Sequence, residues 1–149
     1  MKLKFFLVSL VCVFITGCLA EMRANNAARH MNEAAANEES PYRWRVIPVD
    51  FNSARLEQVL SGTPSDSVLK GSHYDRALSE ISQKLPAPAE IKVNEIRVMN
   101  KTLGNYLAKE VIEAWVVSSG GQEYVFTLII QTSPEINIYA VRGPWVKET

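Results

Sequence analysis

The hydrophobic spacing of the chain changes at Pro86–Pro88, and this change constrains the fold more than any other feature. Before it, from Ser72 to Leu85, apolar residues recur every three or four positions, as on one face of an amphipathic helix. After it, apolar and polar residues alternate, as in strands that have one buried face. The spacing therefore predicts a helix followed by a sheet.

Local signals mark both ends of this helix. Ser72, followed three residues later by Asp75, is typical of a capping box, in which side chains bond to the free N–H groups of the first turn. The prolines that follow cannot continue a helix. Leu78 and Ile81 lie at the centre of the apolar stripe and Gln83 lies on the polar face, so we expect the first two to pack on the sheet.

Four strands are predicted after the prolines. The first alternates through Ile91 and Val93, then in the opposite phase through Ile96 and Val98, and the slip at Asn94–Glu95 indicates a β-bulge. The other three strands are predicted over residues 107–117, 123–132 and 136–142. The turns between strands are expected at Leu103–Asn105, Ser118–Gly121 and Ser133–Pro134.

Short links between strands favour antiparallel pairing of neighbours. The predicted fold class is therefore α+β, an amphipathic helix packed on a curled four-stranded antiparallel sheet. This order of elements is similar to that of the cystatin-like and NTF2-like folds.

Shorter signals precede the predicted helix. Tyr42–Ile47 is typical of a short extended segment. Ala54–Leu60 predicts a short helix, because its three large apolar residues would share one side. Ser61–Asp66 has the composition of a loop.

The start of the chain has the pattern of a secretory signal peptide. Lys2 and Lys4 precede eleven uncharged residues, from Phe5 to Ile15. As a helix this run would be about 16 Å long, short of the roughly 30 Å hydrocarbon core of a bilayer.

Ile15-Thr16-Gly17-Cys18 resembles the lipobox of bacterial lipoproteins, a branched aliphatic residue, a small residue, Gly or Ala, and an invariant cysteine. The resemblance implies cleavage before Cys18 and a diacylglycerol on its sulfur, and a thiolate is the nucleophile that accepts such a lipid. The expected location is a bacterial cell membrane. Leu19, where an Asp would favour inner-membrane retention, favours the outer membrane facing the periplasm in a cell that has one. The alternatives are an ordinary signal peptide, cut near Gly17 or Ala20, and an uncleaved anchor.

Three regions are therefore predicted. Residues 1–17 are a lipoprotein signal peptide, residues 18–40 are the lipidated cysteine with a flexible or weakly helical tether, and residues 41–149 are a single α+β domain. The tether contains no aromatic residue and only scattered apolar positions, so we expect a spacer that is expendable for folding. A helix that binds a partner is the alternative.

Charge and cysteine content exclude some functions. The chain has 16 basic and 16 acidic residues, and removal of Lys2 and Lys4 leaves 14 against 16, which is not the balance of a nucleic-acid binder. No cysteine follows Cys18, so an exported domain would be held together by its core and not by disulfides.

The sequence predicts no catalytic, cofactor-binding or metal-binding set. His73 is the only histidine after the tether and is expected to be an exposed residue at the helix start, while His30 belongs to the tether. No GxSxG, HExxH or CxxC motif is present. Glu110 and Glu113, three apart on a strand, would face opposite sides, so both are expected to be surface or rim charges.

Trp44, Trp115 and Trp145 are candidates for packing or recognition. Trp115 is expected in the core, and Trp145 after the last strand would either cap the open end of the sheet or face a partner. Apolar residues in both phases of residues 111–117 and 124–130 predict that both sheet faces are partly covered, which in such folds creates a pocket or a dimer.

Two functions remain. The first is a non-enzymatic binding or accessory module in the cell envelope, of the immunity or inhibitor type or the envelope-assembly type, with a protein partner. The alternative is a small NTF2-like enzyme or ligand-binding pocket protein. A deep cone that is lined by Trp115 and Tyr124 and contains an acidic side chain would favour the alternative, whereas a solid core would favour the module.

Overall fold

The structure, a computed structural model, describes residues 2–50, 53–86, 90–99 and 110–146, with the backbone alone for 2–18 and 139. Contacts divide the chain into two compact units. The helix–hairpin unit comprises Met1–Glu38 and Tyr42–Val59, and the sheet unit comprises Glu39–Pro41 and Leu60–Thr149.

The helix–hairpin unit contains one helix and two strands. Helix α1 spans Lys2–Asn37 and runs through the segment predicted to be a tether. Strands β1 (Tyr42–Asp50) and β2 (Ser53–Leu60) form a sheet of their own. The predicted division at residue 41 separates β1 from α1, although the contacts group them. Independent folding of residues 41–149 stays a prediction.

The short helix predicted over Ala54–Leu60 is wrong, because the segment is strand β2. Over so few residues the apolar spacing is a weak signal, and pairing with β1 makes the segment a strand. The extended segment predicted at Tyr42–Ile47 is confirmed as the first part of β1.

The sheet unit contains helix α2 and five strands. Helix α2 spans Ser72–Ser82. The strands are β3 (Thr63–Pro64), β4 (Ile91–Val98), β5 (Glu110–Ser119), β6 (Gln122–Gln131) and β7 (Asn137–Trp145).

The sheet order is β3-β4-β5-β6-β7, and every neighbouring pair is antiparallel. The α+β class with an antiparallel sheet is thus confirmed. The sheet has a fifth strand because Thr63–Pro64, predicted as loop, pairs with Arg97–Val98.

Two sequence signals within the sheet are confirmed. The register of β4 against β5 shifts between Val93 and Glu95, at the predicted bulge. Gly120 and Gly121 have φ values of 59° and 80°, the left-handed geometry that a two-residue hairpin turn requires. The turn predicted at Leu103–Asn105 lies outside the described residues.

The start of α2 differs from the prediction. The N-cap is Gly71, with a φ of 54° and no side-chain cap, and the Asp75 N–H donates to the Gly71 carbonyl over 3.1 Å. Ser72 is therefore the first helical residue, and the capping box is wrong. Gly71 tolerates the positive φ with which the preceding loop enters the helix.

Helix α2 packs on one face of the sheet. Ala77 and Ile81 are fully buried against core residues of β5, β6 and β7, and Leu78 is partly buried against the same cluster. The cluster's sheet residues are Trp115, Val117, Phe126, Leu128, Ile130, Ile138 and Val141. The predicted helix-on-sheet packing is confirmed, with Ala77 nearer the centre of the interface than Leu78.

The other face of the sheet is also covered, as predicted. Ala114, Val116 and Ile129 point away from α2 and are buried. The segment Glu39–Pro41 lies against this face, because the Thr127 hydroxyl donates to the Glu39 carbonyl over 3.0 Å. Burial on both faces explains the apolar residues in both phases of β5 and β6.

Candidate functional site

A buried carboxylate is the most unusual chemical group in the sheet unit. Glu113 in β5 has an exposed fraction of 0%. The alternation of β5 directs its side chain to the α2 side of the sheet, together with Trp115 and Val117. The surface position predicted for Glu113 is wrong, whereas Glu110 is exposed as predicted.

Three donors surround the Glu113 carboxylate. The Ser67 hydroxyl and the Trp115 indole N–H each donate to Oε2 over 2.7 Å, and the Val68 backbone N–H donates to Oε1 over 2.7 Å. Among the ion pairs of the described residues, none involves Glu113. Hydrogen bonds therefore compensate the burial of this carboxyl group.

The hydrogen bonds fasten the loop before α2 to the centre of the sheet. Ser67 also accepts a hydrogen bond from the Leu69 N–H over 3.0 Å, and Leu69 is fully buried in the core. One side chain of β5 thus positions a loop 46 residues earlier in the chain. This loop ends at Gly71, where α2 begins.

Tyr74 and Trp115 extend the site towards the surface. Their ring centroids are 4.9 Å apart and the rings are tilted by 38°. Burial, with a smaller contribution from the charge of Glu113, raises the pKa of Tyr74 above its ordinary value.

An open cavity of about 340 Å³ lies beside this cluster. Its walls combine hydroxyl groups, two carboxylates and one amino group, and Trp115, Tyr124 and Glu113 are not among them. The lining residues are Ser65, Asp66, Ser67, Leu69, Lys70, Gly71, Tyr74, Asp75 and Ile96. Such a surface can bind a small polar molecule.

Among the described residues, no nucleophile–base pair is assembled at this cavity. The Ser67 hydroxyl is engaged with Glu113 and Leu69, and His73 is exposed at the start of α2 and does not line the cavity. The exposed position of His73 is the predicted one. A hydroxyl that donates to a buried carboxylate fastens a loop and needs no catalytic role.

In the helix–hairpin unit, a pair of hydrogen bonds joins α1 to β1. The Asn32 side-chain N–H₂ donates to the Trp44 carbonyl over 2.8 Å, and the Trp44 backbone N–H donates to Asn32 Oδ1 over 2.6 Å. The Asn32 amide thus bonds to Trp44 as a neighbouring strand would. The Asn32 amide thereby provides hydrogen-bond partners for the Trp44 N–H and carbonyl on the edge of β1.

Small side chains allow β1 to approach α1 closely. Ala28 is buried, and Ala20, Ala24, Met31 and Ala35 are half-buried at helical spacing along one side of α1. The sequence reasoning missed this stripe because alanine contributes little to a hydrophobic pattern. The recurrence of alanine at every fourth residue from 20 to 28 was the available signal.

A groove of about 590 Å³ runs between α1 and β1. The helix contributes residues from Asn25 to Ala36 and the strand contributes Trp44 to Val46. Arg45 forms a 3.0 Å ion pair with Glu57 of β2. The lining residues are Asn25, Ala28, Arg29, Asn32, Glu33, Ala36, Trp44, Arg45 and Val46.

The other candidate residues are dispersed. Cys18 lies in α1, and its side chain is outside the described part. His30 is exposed on α1, and its Nδ1 lies 3.6 Å from Glu33 Oε2. Trp115 is in the core, as predicted. Trp145 is the last residue of β7. Its indole N–H is buried and has no hydrogen-bond partner among the described residues.

Within the described residues, no cluster of three or more His, Cys, Asp or Glu side chains could hold a metal ion. No helix in that part of the chain is long and apolar enough to cross a membrane. Comparisons with protein families, curated proteins and solved structures found no match to this chain.

Proposed function

We propose that the chain is a bacterial lipoprotein, lipidated on Cys18, whose exported part is a non-enzymatic binding or accessory module of the cell envelope. The observation that carries the anchor is the sequence Ile15-Thr16-Gly17-Cys18 after a basic start and a short apolar run. Two or three acyl chains on one cysteine would hold the protein stably at a membrane, whereas one chain would not.

The state of the sheet core supports a module over an enzyme. Trp115 and Phe126 are fully buried, and the buried Glu113 accepts hydrogen bonds from Ser67, Val68 and Trp115. A deep cone lined by Trp115 and Tyr124 would have favoured a pocket protein, and the space inside the sheet at Trp115 is occupied by packed side chains. The proposed partner is a protein of the envelope, and the subclass is an immunity or inhibitor lipoprotein or an assembly factor.

The finer description of the fold belongs to this proposal. We propose a cystatin-like or NTF2-like arrangement for the sheet unit, since an amphipathic helix precedes a meander of antiparallel strands and packs on one face. Such folds serve many functions, so this likeness carries no function by itself.

The alternative function is a ligand-binding pocket protein, and one observation favours it. The 340 Å³ cavity next to Tyr74 brings hydroxyl groups and charges of both signs together at the start of α2. A small polar molecule that co-purifies with the protein, and is lost in Ser65→Trp, would favour this alternative. Retention of a crosslinked envelope protein by both Ser65→Trp and the native chain would favour the module.

Fatty-acid labelling of cells tests the anchor. The native chain should incorporate a clickable fatty acid, and Cys18→Ser should lose the label and accumulate as the uncleaved precursor. Cys12→Ser is the matched control, because Cys12 lies inside the apolar run that would be removed. Equal label in the native chain and Cys18→Ser would overturn the proposal.

A further inference from the structure

We infer that the Cys18 end of the helix–hairpin unit is a bilayer-contacting surface, formed by Leu19 and Met22 of α1 and Val49 of β1. This inference rests on the proposed lipid anchor and adds a second, non-covalent contact with the same membrane. The occupant is the interfacial region of a phospholipid bilayer.

Exposed apolar side chains are concentrated in this part of the unit. Leu19, Met22 and Val49 are 44%, 58% and 60% exposed, respectively. They are three of the five large hydrophobic residues that are exposed in the described part of the chain. Leu19 and Met22 are three residues apart, so they share one side of α1 directly after the proposed lipidation site.

The direction of β1 brings Val49 to the same end. Helix α1 ends at Asn37 and β1 begins at Tyr42. Trp44, two residues into the strand, is bonded to Asn32, five residues before the end of the helix. The strand therefore runs along α1 towards the N-terminal end of the helix. The half-buried positions Ala24 and Ala20 continue the same side of α1 in that direction.

The length of α1 from Asn32 back to Met22 nearly equals the length of β1 from Trp44 forward to Val49. From Asn32 back to Met22 the helix covers about 15 Å at 1.5 Å per residue. From Trp44 forward to Val49 the strand covers about 16 Å at 3.3 Å per residue. For a strand that follows the helix axis, these lengths place Val49 level with Met22, about one turn of helix from Cys18.

The exposed charged residues at this end are balanced, so the inferred contact rests on the apolar residues. Glu21 and Arg23 are exposed on α1, and Asp50 and Arg55 are exposed on the hairpin. Two acidic and two basic groups give no net attraction to anionic lipid. The arginine side chains can direct their guanidinium groups to the headgroups while their stems lie along apolar surface.

Site-directed fluorescence on the processed lipoprotein tests the inference. Because lipidation blocks the Cys18 sulfur and cleavage removes Cys12, Val49→Cys would hold the only free thiol of the mature chain. An environment-sensitive fluorophore on that thiol is compared in phosphatidylcholine vesicles with and without lipids that carry a nitroxide quencher near the headgroup. We expect a blue-shifted emission and loss of most of the fluorescence with the quencher, since interfacial side chains lie about 5–10 Å into the boundary region.

Glu33→Cys is the matched control. Glu33 is exposed on the same helix, about 16 Å beyond Met22 at 1.5 Å per residue, and its label should not be quenched by the nitroxide lipid. Addition of phosphatidylglycerol or salt should leave the Val49 signal unchanged, because screening affects electrostatic contacts and not apolar ones.

Each other outcome overturns the inference. Absence of quenching at Val49, in a protein that carries fatty acid on Cys18, would overturn the surface contact and leave the proposed anchor intact. Equal quenching at Val49 and Glu33 would mean that α1 lies flat on the membrane. A Val49 label that is shielded without lipid quenching, in a concentration-dependent way, would assign the surface to a second copy. Absence of fatty acid would overturn the anchor and the inference together.

Discussion

The two units each use one polar side chain to bind the backbone of a distant segment, but they do so in different surroundings. In the sheet unit, Glu113 is fully buried and accepts hydrogen bonds from three donors. In the helix–hairpin unit, Asn32 is half-buried and exchanges two hydrogen bonds with Trp44. Loss of Glu113 leaves three donors without an acceptor in largely buried surroundings, whereas water can readily replace the Asn32 amide. We therefore expect burial, more than the number of hydrogen bonds, to determine how much such a side chain stabilises the fold.

Glu113→Ala should have the largest effect. The substitution leaves the Val68 N–H, the Ser67 hydroxyl and the Trp115 indole without their acceptor in the core, so we expect a loss of about 3–5 kcal/mol in the free energy of unfolding. Denaturant unfolding measures it. Glu135→Ala, at an exposed position between β6 and β7, should change stability by less than about 0.5 kcal/mol. Equal effects would mean that Glu113 is not buried.

Ile81→Ala should have the second-largest effect on stability, because it opens a cavity between α2 and the sheet without leaving a polar group unpaired. Truncation of a fully buried Ile typically costs about 2–5 kcal/mol. Leu78→Ala should cost less, since Leu78 is only partly buried. Gln83→Ala, just beyond the end of α2 and exposed, is the control. If Ile81→Ala and Gln83→Ala proved equally mild, α2 would not be packed on the sheet.

Asn32→Ala should have a smaller effect that is confined to the helix–hairpin unit. Two hydrogen bonds to a half-buried backbone are worth about 1–2 kcal/mol when water can replace them. Hydrogen exchange should show lost protection at the Trp44 N–H, with the β5 and β6 amides unchanged. Asn26→Ala, on an exposed side of α1, is the control.

The same measurement tests whether residues 19–40 are expendable. The sequence predicts that chains starting at Leu19 and at Pro41 have stabilities within about 1 kcal/mol of each other. The bonds of Asn32 to Trp44 predict instead that the shorter chain loses protection throughout β1. Equal protection of β1 in both chains would show that α1 contributes nothing to the hairpin.

Arg45→Ala should have the smallest effect. The Arg45–Glu57 ion pair joins the two strands over 3.0 Å, but the Arg45 side chain is 61% exposed. Exposed ion pairs contribute about 0–1 kcal/mol and are screened by salt. Thermal unfolding at low and high salt measures the difference, and a loss above this range would show that Arg45 contributes by packing in the groove.

Local periodicity was sufficient for the elements with strong patterns. Four features could be predicted because each depends on residues close in sequence. They are the apolar stripe that contains Ile81, the alternation of β6, the bulge in β4 and the turn at Gly120–Gly121. The strand at Ser53–Leu60 was misread, since its short apolar spacing is a weak signal and the pairing with β1 makes the segment a strand.

The candidate sites were harder to predict from the sequence, because their residues are far apart in the chain. Nothing near Ser67 indicates that its hydroxyl will meet a carboxylate 46 residues later, and Glu113 on its own resembles a surface charge. Asn32 was assigned to a spacer, since an asparagine between Met31 and Glu33 gives no sign of a strand edge 12 residues away. Each of these roles is set by a partner and not by a local pattern.

The sequence by itself determined the α+β class, the order of most elements, the apolar face of α2 and the motif on which the proposed anchor at Cys18 rests. These follow from short-range spacing and from residue chemistry within a few positions. Only the tertiary structure decided that Glu113 is buried, that Gly71 and not Ser72 caps α2, and that α1 fastens β1. The reason is that desolvation and hydrogen bonding depend on which distant groups surround an atom, and the chain must fold before those groups meet.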